Sequence, residues 1–200
     1  SKPWVFMELL DTALGASSKQ DGISLIHGTL GVGQFRPGPI EIHETEFPMR
    51  VTRFDVRSDS GGPGKYRGGL GCIREYQLLD DAAVRVRGRG DMRSKCPPWG
   101  VLGGQAARTG FYAINGDELS ETVREAALKP GDTVQVNMNA GGGYGDPLER
   151  DPEAVLGDVL DGYVTIAGAR ADYGVVIDAQ RLSIDQIATA ELRRSMAAVK

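Results

Sequence analysis

The side chains able to move protons are few. Only two histidines occur, His27 and His43. His43 stands in Pro39-Ile40-Glu41-Ile42-His43-Glu44. Alternation of Ile40 and Ile42 with Glu41 and His43 predicts a strand, and on a strand residues i and i+2 project together. Glu41 and His43, with Glu44 beside them, would then form an acid–base pair or a partial metal site. The plainer alternative is a wet strand face, where such residues are common. His27 lies in a glycine-rich stretch and carries the same two readings. A three-histidine metal site is impossible from this chain alone, and no metal ligand is assigned. GxSxG, GxxxxGK[ST] and HExxH are all missing. Cys72 and Cys96 form no CxxC and no disulfide framework, which fits a cytoplasmic protein.

Glycine is the compositional outlier, with 28 in 200 residues, against a usual ~7%. It gathers in three clusters: Ser60 to Gly71, Cys96 to Gly104, and Gly141 to Pro147. Such runs admit backbone conformations closed to other residues and let N–H groups converge on an anion. Gly61, Gly62, Gly142 and Gly143, with Lys65 and Arg67 alongside, are therefore candidates for holding a phosphate or a substrate carboxylate. The alternative makes the clusters turns packed by Tyr66, Trp99 and Tyr144. Arg67 likewise has a second reading, as the partner of a buried acid. The net charge is −4, yet residues 50–100 carry a local excess of Lys and Arg. Arg85, Arg87 and Arg89 read best as the wet face of a strand. An acidic pI near 5.3 and arginines without interleaved aromatics give no nucleic-acid signature. No apolar run reaches the ~18 residues of a membrane span.

The elements that must position these residues are mostly strands. Trp4–Leu10 reads as a buried strand. A long loop is expected from Gly15 to Pro39, and alternation from Ile40 to Arg57 needs a bulge near Thr52 or a break at Pro48 to keep one face. Cys72–Leu79, Ala83–Arg87, Phe111–Ile114 and Thr133–Asn139 are further strands, with Asn115-Gly116 as a type I′ hairpin turn and Pro130-Gly131-Asp132 as another turn. The last quarter is helical. Asp151-Pro152-Glu153 opens one helix, which ends at Asp161-Gly162. A second runs from Thr165 to Gly174, and Val175–Ile177 is a short strand. Ser183-Ile184-Asp185-Gln186 is read as a capping box for a terminal helix. The expected fold class is α+β, one domain over 1–200: a β-rich sandwich or barrel-like body, 1–147, and a helical tail, 148–200.

Taken in order, SGGPGKYRGGLG, PPWGVLGG, LKPGDTVQV, GGGYGDPLERDPEAVLGDVLDG and ARADYGVVID resemble the C-terminal part of the hydantoinase B/oxoprolinase family. Pro39–Glu44, followed by Pro48–Val51, is similar to that family's Pro-x-Glu-x-x-Glu segment and its Pro-x-Arg-Val stretch. The resemblance runs from Trp4 to about Leu192. Gln34 departs from it, standing where many members have Asn.

The resemblance implies a role in ATP-dependent enzymes that open cyclic amides or carboxylate ketones, through phosphorylation of a carbonyl oxygen. It implies an ATPase partner of A type carrying ATP and Mg, and a B-type N-terminal piece able to hold a divalent metal, with no cofactor bound by this chain alone. The lead expectation is a C-terminal piece of a split B-type subunit in a hydantoinase or 5-oxoprolinase, inactive alone. A ketone carboxylase subunit of the acetone or acetophenone type and a non-catalytic scaffold are the alternatives. No nucleic acid or membrane partner is expected.

Overall fold

The computed structural model describes residues 4–8, 10, 12–26, 38–80, 84–86, 96–119 and 126–198. His27, Gln34, Arg87 and Arg89 lie outside them, as does the Arg85 side chain. No helix among the described residues is long and apolar enough to cross a membrane.

The centre is a five-stranded antiparallel sheet. Its strands are β3 (Met49–Val56), β4 (Cys72–Leu78), β6 (Phe111–Ile114), β7 (Asp117–Leu119) and β9 (Thr133–Asn137), in the order β3-β4-β9-β6-β7. Three two-stranded ribbons surround it: β1 (Thr12–Ala13) with β2 (Ser24–Ile26), β5 (Val84–Val86) with β8 (Ala126–Leu128), and β10 (Ile177–Asp178) with β11 (Ser183–Ile184). The Asn-Gly turn joins β6 to β7, with φ of 52° at Asn115 and 85° at Gly116. Asn115 reinforces it, its Oδ1 accepting from the Thr133 amide at 2.8 Å and its Nδ2 donating to Asp132 at 2.9 Å. Leu78, Leu128 and Val134 form one small core, with Trp4 and Ile114 against it.

The helical tail follows the capping signals. Helix α2 (Pro152–Leu160) begins at Asp151, whose side chain accepts from the Glu153 amide. Helix α3 (Ile166–Tyr173) is capped by Thr165 and ends at left-handed Gly174. The tail has its own core of Val155, Val164, Ala169, Tyr173, Val175 and Ile177. The chain is α+β, a β-rich body followed by helices.

Three expectations are corrected. Residues 4–8 of the expected Trp4–Leu10 strand belong to no strand, and Val5 and Met7 are exposed. The Ile40–Arg57 strand is instead helix α1 (Ile40–Glu46) and then β3. Pro39, at φ −55°, starts the helix, and Phe47 returns to extended geometry before Pro48. Ile40, His43 and Phe47 turn inward while Ile42 is exposed, the i, i+3, i+7 spacing of a helix face. Both suggested breaks occur, because the β3–β4 register also slips at Thr52, between Val51 and Arg53. Lastly, Ser183 belongs to β11. The cap of the terminal helix α4 (Gln186–Ala197) is Asp185, which accepts from the Ala188 amide.

Candidate functional site

The three glycine clusters meet. The Gly62 amide donates to the Gly141 carbonyl at 2.8 Å, Gly143 to Gln105 at 3.0 Å, Gln105 to Pro63 at 2.7 Å, and Gly141 to Gly69 at 2.9 Å. Tyr144 bridges both Tyr66 and Val101. The backbones lie in contact, with no room for a side chain between them. A Cβ on Gly61 would enter the Gly68 carbonyl, on Gly62 that of Gln105, on Gly142 that of Trp99, and on Gly143 that of Pro63. The amides of Gly62 and Gly143 are thus engaged inside the layer. Close packing of main chain on main chain is what these glycines permit.

Beside this layer runs a buried chain of alternating charge. Arg150, just before α2, grips Asp21 with both terminal nitrogens, each at 2.7 Å, and donates to Asp158 at 2.8 Å. Arg67 donates to Asp158 through Nε and Nη2, both at 3.2 Å, and to the Gly68 carbonyl through Nη1 at 2.9 Å. Its amide reaches Asp21 at 2.7 Å. Arg67, Arg150 and Asp158 are 5–7% exposed, and the Tyr163 and Tyr173 rings lie against the two guanidinium groups. Burial works to raise the Asp21 pKa, but the Arg150 hydrogen bond and charge outweigh it and leave the carboxyl below its ordinary value. Arg67 is thereby the partner of a buried acid, one of its two expected readings, with its donors occupied.

Lys65 is placed differently. It is exposed, 3.5 Å from the Glu149 carboxylate, and lines an open cavity of about 410 Å³ with Gln20, Asp21, Tyr66, Arg150 and Asp151. Arg150 holds the Lys65 carbonyl at 3.2 Å. The buried charges therefore fix the backbone from which Lys65 reaches the cavity.

His43 lies elsewhere. Its Nδ1 is 3.7 Å from Glu8 Oε1 and has no hydrogen-bond partner among the described residues. Glu8 accepts from Arg74 at 3.1 Å and from the Tyr76 hydroxyl. Burial, first, and then Glu8 push the Tyr76 pKa up. Phe6 meets the His43 ring edge-on, with centroids 5.0 Å apart, and Arg74 lies over Phe54 at 4.5 Å. Glu41 does not join His43, because helical geometry turns residues i and i+2 to different faces. Glu44 instead accepts from the Val51 amide at 2.9 Å. Among the described residues no three His, Cys, Asp or Glu side chains gather as metal ligands. The one carboxylate near His43 already has the Arg74 cation on it, so this cluster does not suit a metal.

Asp21, Arg150, Asp158, Glu8 and Arg74 were not singled out in the sequence. Two of them left a signal. Arg74 shares one face of β4 with Cys72, Tyr76 and Leu78, a charge at an inward strand position. Asp158 follows Val155 by three on α2, a charge in its buried stripe. Each position demands a buried counter-charge.

The site therefore combines a close-packed main-chain layer and a buried ionic lattice with Lys65, paired to Glu149, at the edge of a cavity. Residues 1–147 match the hydantoinase B/oxoprolinase family, and the chain belongs to that family. It is 39% identical over 96% of its length to a D-/L-hydantoinase protein of B type from Pseudomonas sp. (strain NS671), covering 32% of that protein. The solved acetone carboxylase structure aligns with a TM-score of 0.79 at 26% identity, over 94% of this chain and 30% of that one. The ATP-dependent caprolactamase of Pseudomonas jessenii aligns with a TM-score of 0.74 at 29% identity, over 92% and 33%. The chain spans about a third of the length of these relatives.

Proposed function

We propose that this chain is part of the B-type subunit of an ATP-dependent enzyme that hydrolyses a cyclic amide. The observation that carries the reading is the 39% identity over 96% of the chain to the hydantoinase relative. In this reading ATP and Mg sit on an A-type partner, a phosphoryl group is placed on the amide oxygen, and water opens the ring. The contribution of these residues is positioning and charge, which need no titrating group. Lys65, anchored through Arg150 at the cavity, is the residue for that task. Arg67 holds the wall behind it.

The purified assembly should hydrolyse ATP when given a hydantoin or lactam, with bicarbonate making no difference. ATP turnover that requires a ketone and bicarbonate together would replace this reading with the carboxylase one, which the 0.79 TM-score to acetone carboxylase favours. No substrate-stimulated turnover with any of these compounds would leave the scaffold role.

A further inference from the structure

The loop from Cys96 to Gly104 contains no charged residue. At its tip Trp99 is 79% exposed, Leu102 74% and Val101 45%. The loop is clamped by its main chain. The Val101 amide donates to the Gly143 carbonyl at 2.9 Å, Gly145 donates back to Val101 at 2.9 Å, and Ala107 donates to Pro98 at 2.9 Å. Leu102 sits at φ 50°, a left-handed conformation that is costly for a non-glycine residue. A strained leucine held outward beside an exposed tryptophan, on a backbone that cannot relax, is a surface prepared for contact. Tryptophan is also the side chain most favoured at the centre of an interface.

We infer that the Trp99–Leu102 tip seats the portion of the B-type polypeptide that lies outside these 200 residues. The inference rests on reading the chain as part of such a subunit, and two observations select the occupant. The relatives are about three times as long as this chain, so in this reading about two thirds of the B-type polypeptide lies outside these residues and is there to cover the tip. The tip is also wholly apolar. Permanent interfaces resemble a core cut in half, whereas contacts that form and part carry a more polar, charged surface. An ATPase partner that docks and moves would call for charge on the loop, and residues 96–104 carry none.

The test is made in the native assembly. Leu102 is replaced by the photoreactive p-benzoylphenylalanine, the sample is irradiated, and the joined peptides are sequenced. Hydroxyl-radical oxidation of Trp99 is followed in parallel, in the folded assembly and after unfolding in urea. Cross-links should lead to B-type residues outside 1–200, on the same polypeptide or a separate one, and folding should slow Trp99 oxidation by about tenfold or more, as for a water-excluded anchor. Cross-links to another copy of residues 1–200 or to the ATP-binding subunit would overturn the inference, as would unprotected Trp99. The substrate assay reads a different quantity. A requirement for ketone and bicarbonate would change the proposed reaction while leaving this seat intact.

Discussion

Asp158 and Lys65 illustrate how differently two charged residues tied to Arg150 behave. Asp158 is the carboxylate between two buried guanidinium groups. Asp158→Asn keeps the shape but leaves Arg67 without a carboxylate partner, and breaking such a buried pair costs about 3–5 kcal/mol. The urea midpoint of the assembly should fall accordingly. Lys65→Ala removes an exposed ion pair, a contact worth at most about 1 kcal/mol, so the midpoint should hold. Turnover should drop about tenfold or more, since ~1.4 kcal/mol of lost transition-state stabilisation does that. Unchanged turnover in Lys65→Ala would remove the lysine from the mechanism. Acid separates two further carboxylates by sign. Asp21 has a folded pKa below the unfolded value of about 3.9, so its contribution is full above that value and is lost as pH falls through the folded one. Burial holds the Asp172 pKa up against the pull of Arg108, so Asp172 costs stability at neutral pH and the cost fades on acidification. Urea midpoints from pH 7 to 3 should show the penalty of Asp21→Asn shrinking with acid. A constant penalty would contradict the depressed pKa.

The elements show why only part of the fold was legible in the sequence. Caps and turns were readable because their chemistry is local: Asp151 and Thr165 accept from amides two and three residues on, and Asn115-Gly116 turns through its own dihedral angles. Helix α1 was misread because seven residues show too little of either period. Ile40 and Ile42 suggested a strand, and only packing against Phe6 and β3 reveals the helical face. The glycine clusters were visible, but their partners were not. Which amide meets which carbonyl depends on chain segments tens of residues apart. A matched pair of substitutions separates the two uses of glycine. A Cβ added at Gly116 would have nothing within 4 Å, so Gly116→Ala pays only for positive φ, about 1–2 kcal/mol, and should yield a folded protein with a slightly lower midpoint. In Gly142→Ala the methyl meets the Trp99 carbonyl, main chain that cannot rotate away, which puts the change at or beyond the upper end of the about 1–3 kcal/mol that overpacking costs. Soluble, assembled protein should be lost. Equal tolerance of both changes would show that the glycine layer is looser than its hydrogen bonds indicate.

At the scale of the whole molecule, the family match ends at residue 147, but the physical connections do not. The tail has an apolar core of its own, so its join to the β-rich body is made largely of polar contacts. Arg67 reaches Asp158, Arg150 reaches Asp21, and Arg108 reaches Asp172. Asp59 accepts from the Thr165 amide at 2.8 Å and from its hydroxyl at 2.7 Å. We propose that body and tail form one cooperative unit held by this ionic seam. Ending the chain at residue 147 would remove every one of these tail partners at once, from a domain whose total stability is commonly only about 5–15 kcal/mol. The shortened chain should melt far earlier in the assembly, or fail to enter it. The cause can be isolated by a cycle of variants. In the full chain Arg67→Met should destabilise, because it leaves Asp158 short of a partner. In the chain ending at 147 the same change should be close to neutral, because without the tail Arg67 faces water and has no Asp158 to lose. Urea midpoints of the four assemblies give the answer. A penalty for Arg67→Met that is present in the full chain and absent in the shortened one establishes that the seam is ionic and runs through Arg67. An equal penalty in both would mean that body and tail are joined by other contacts, and that Arg67 acts within the body alone.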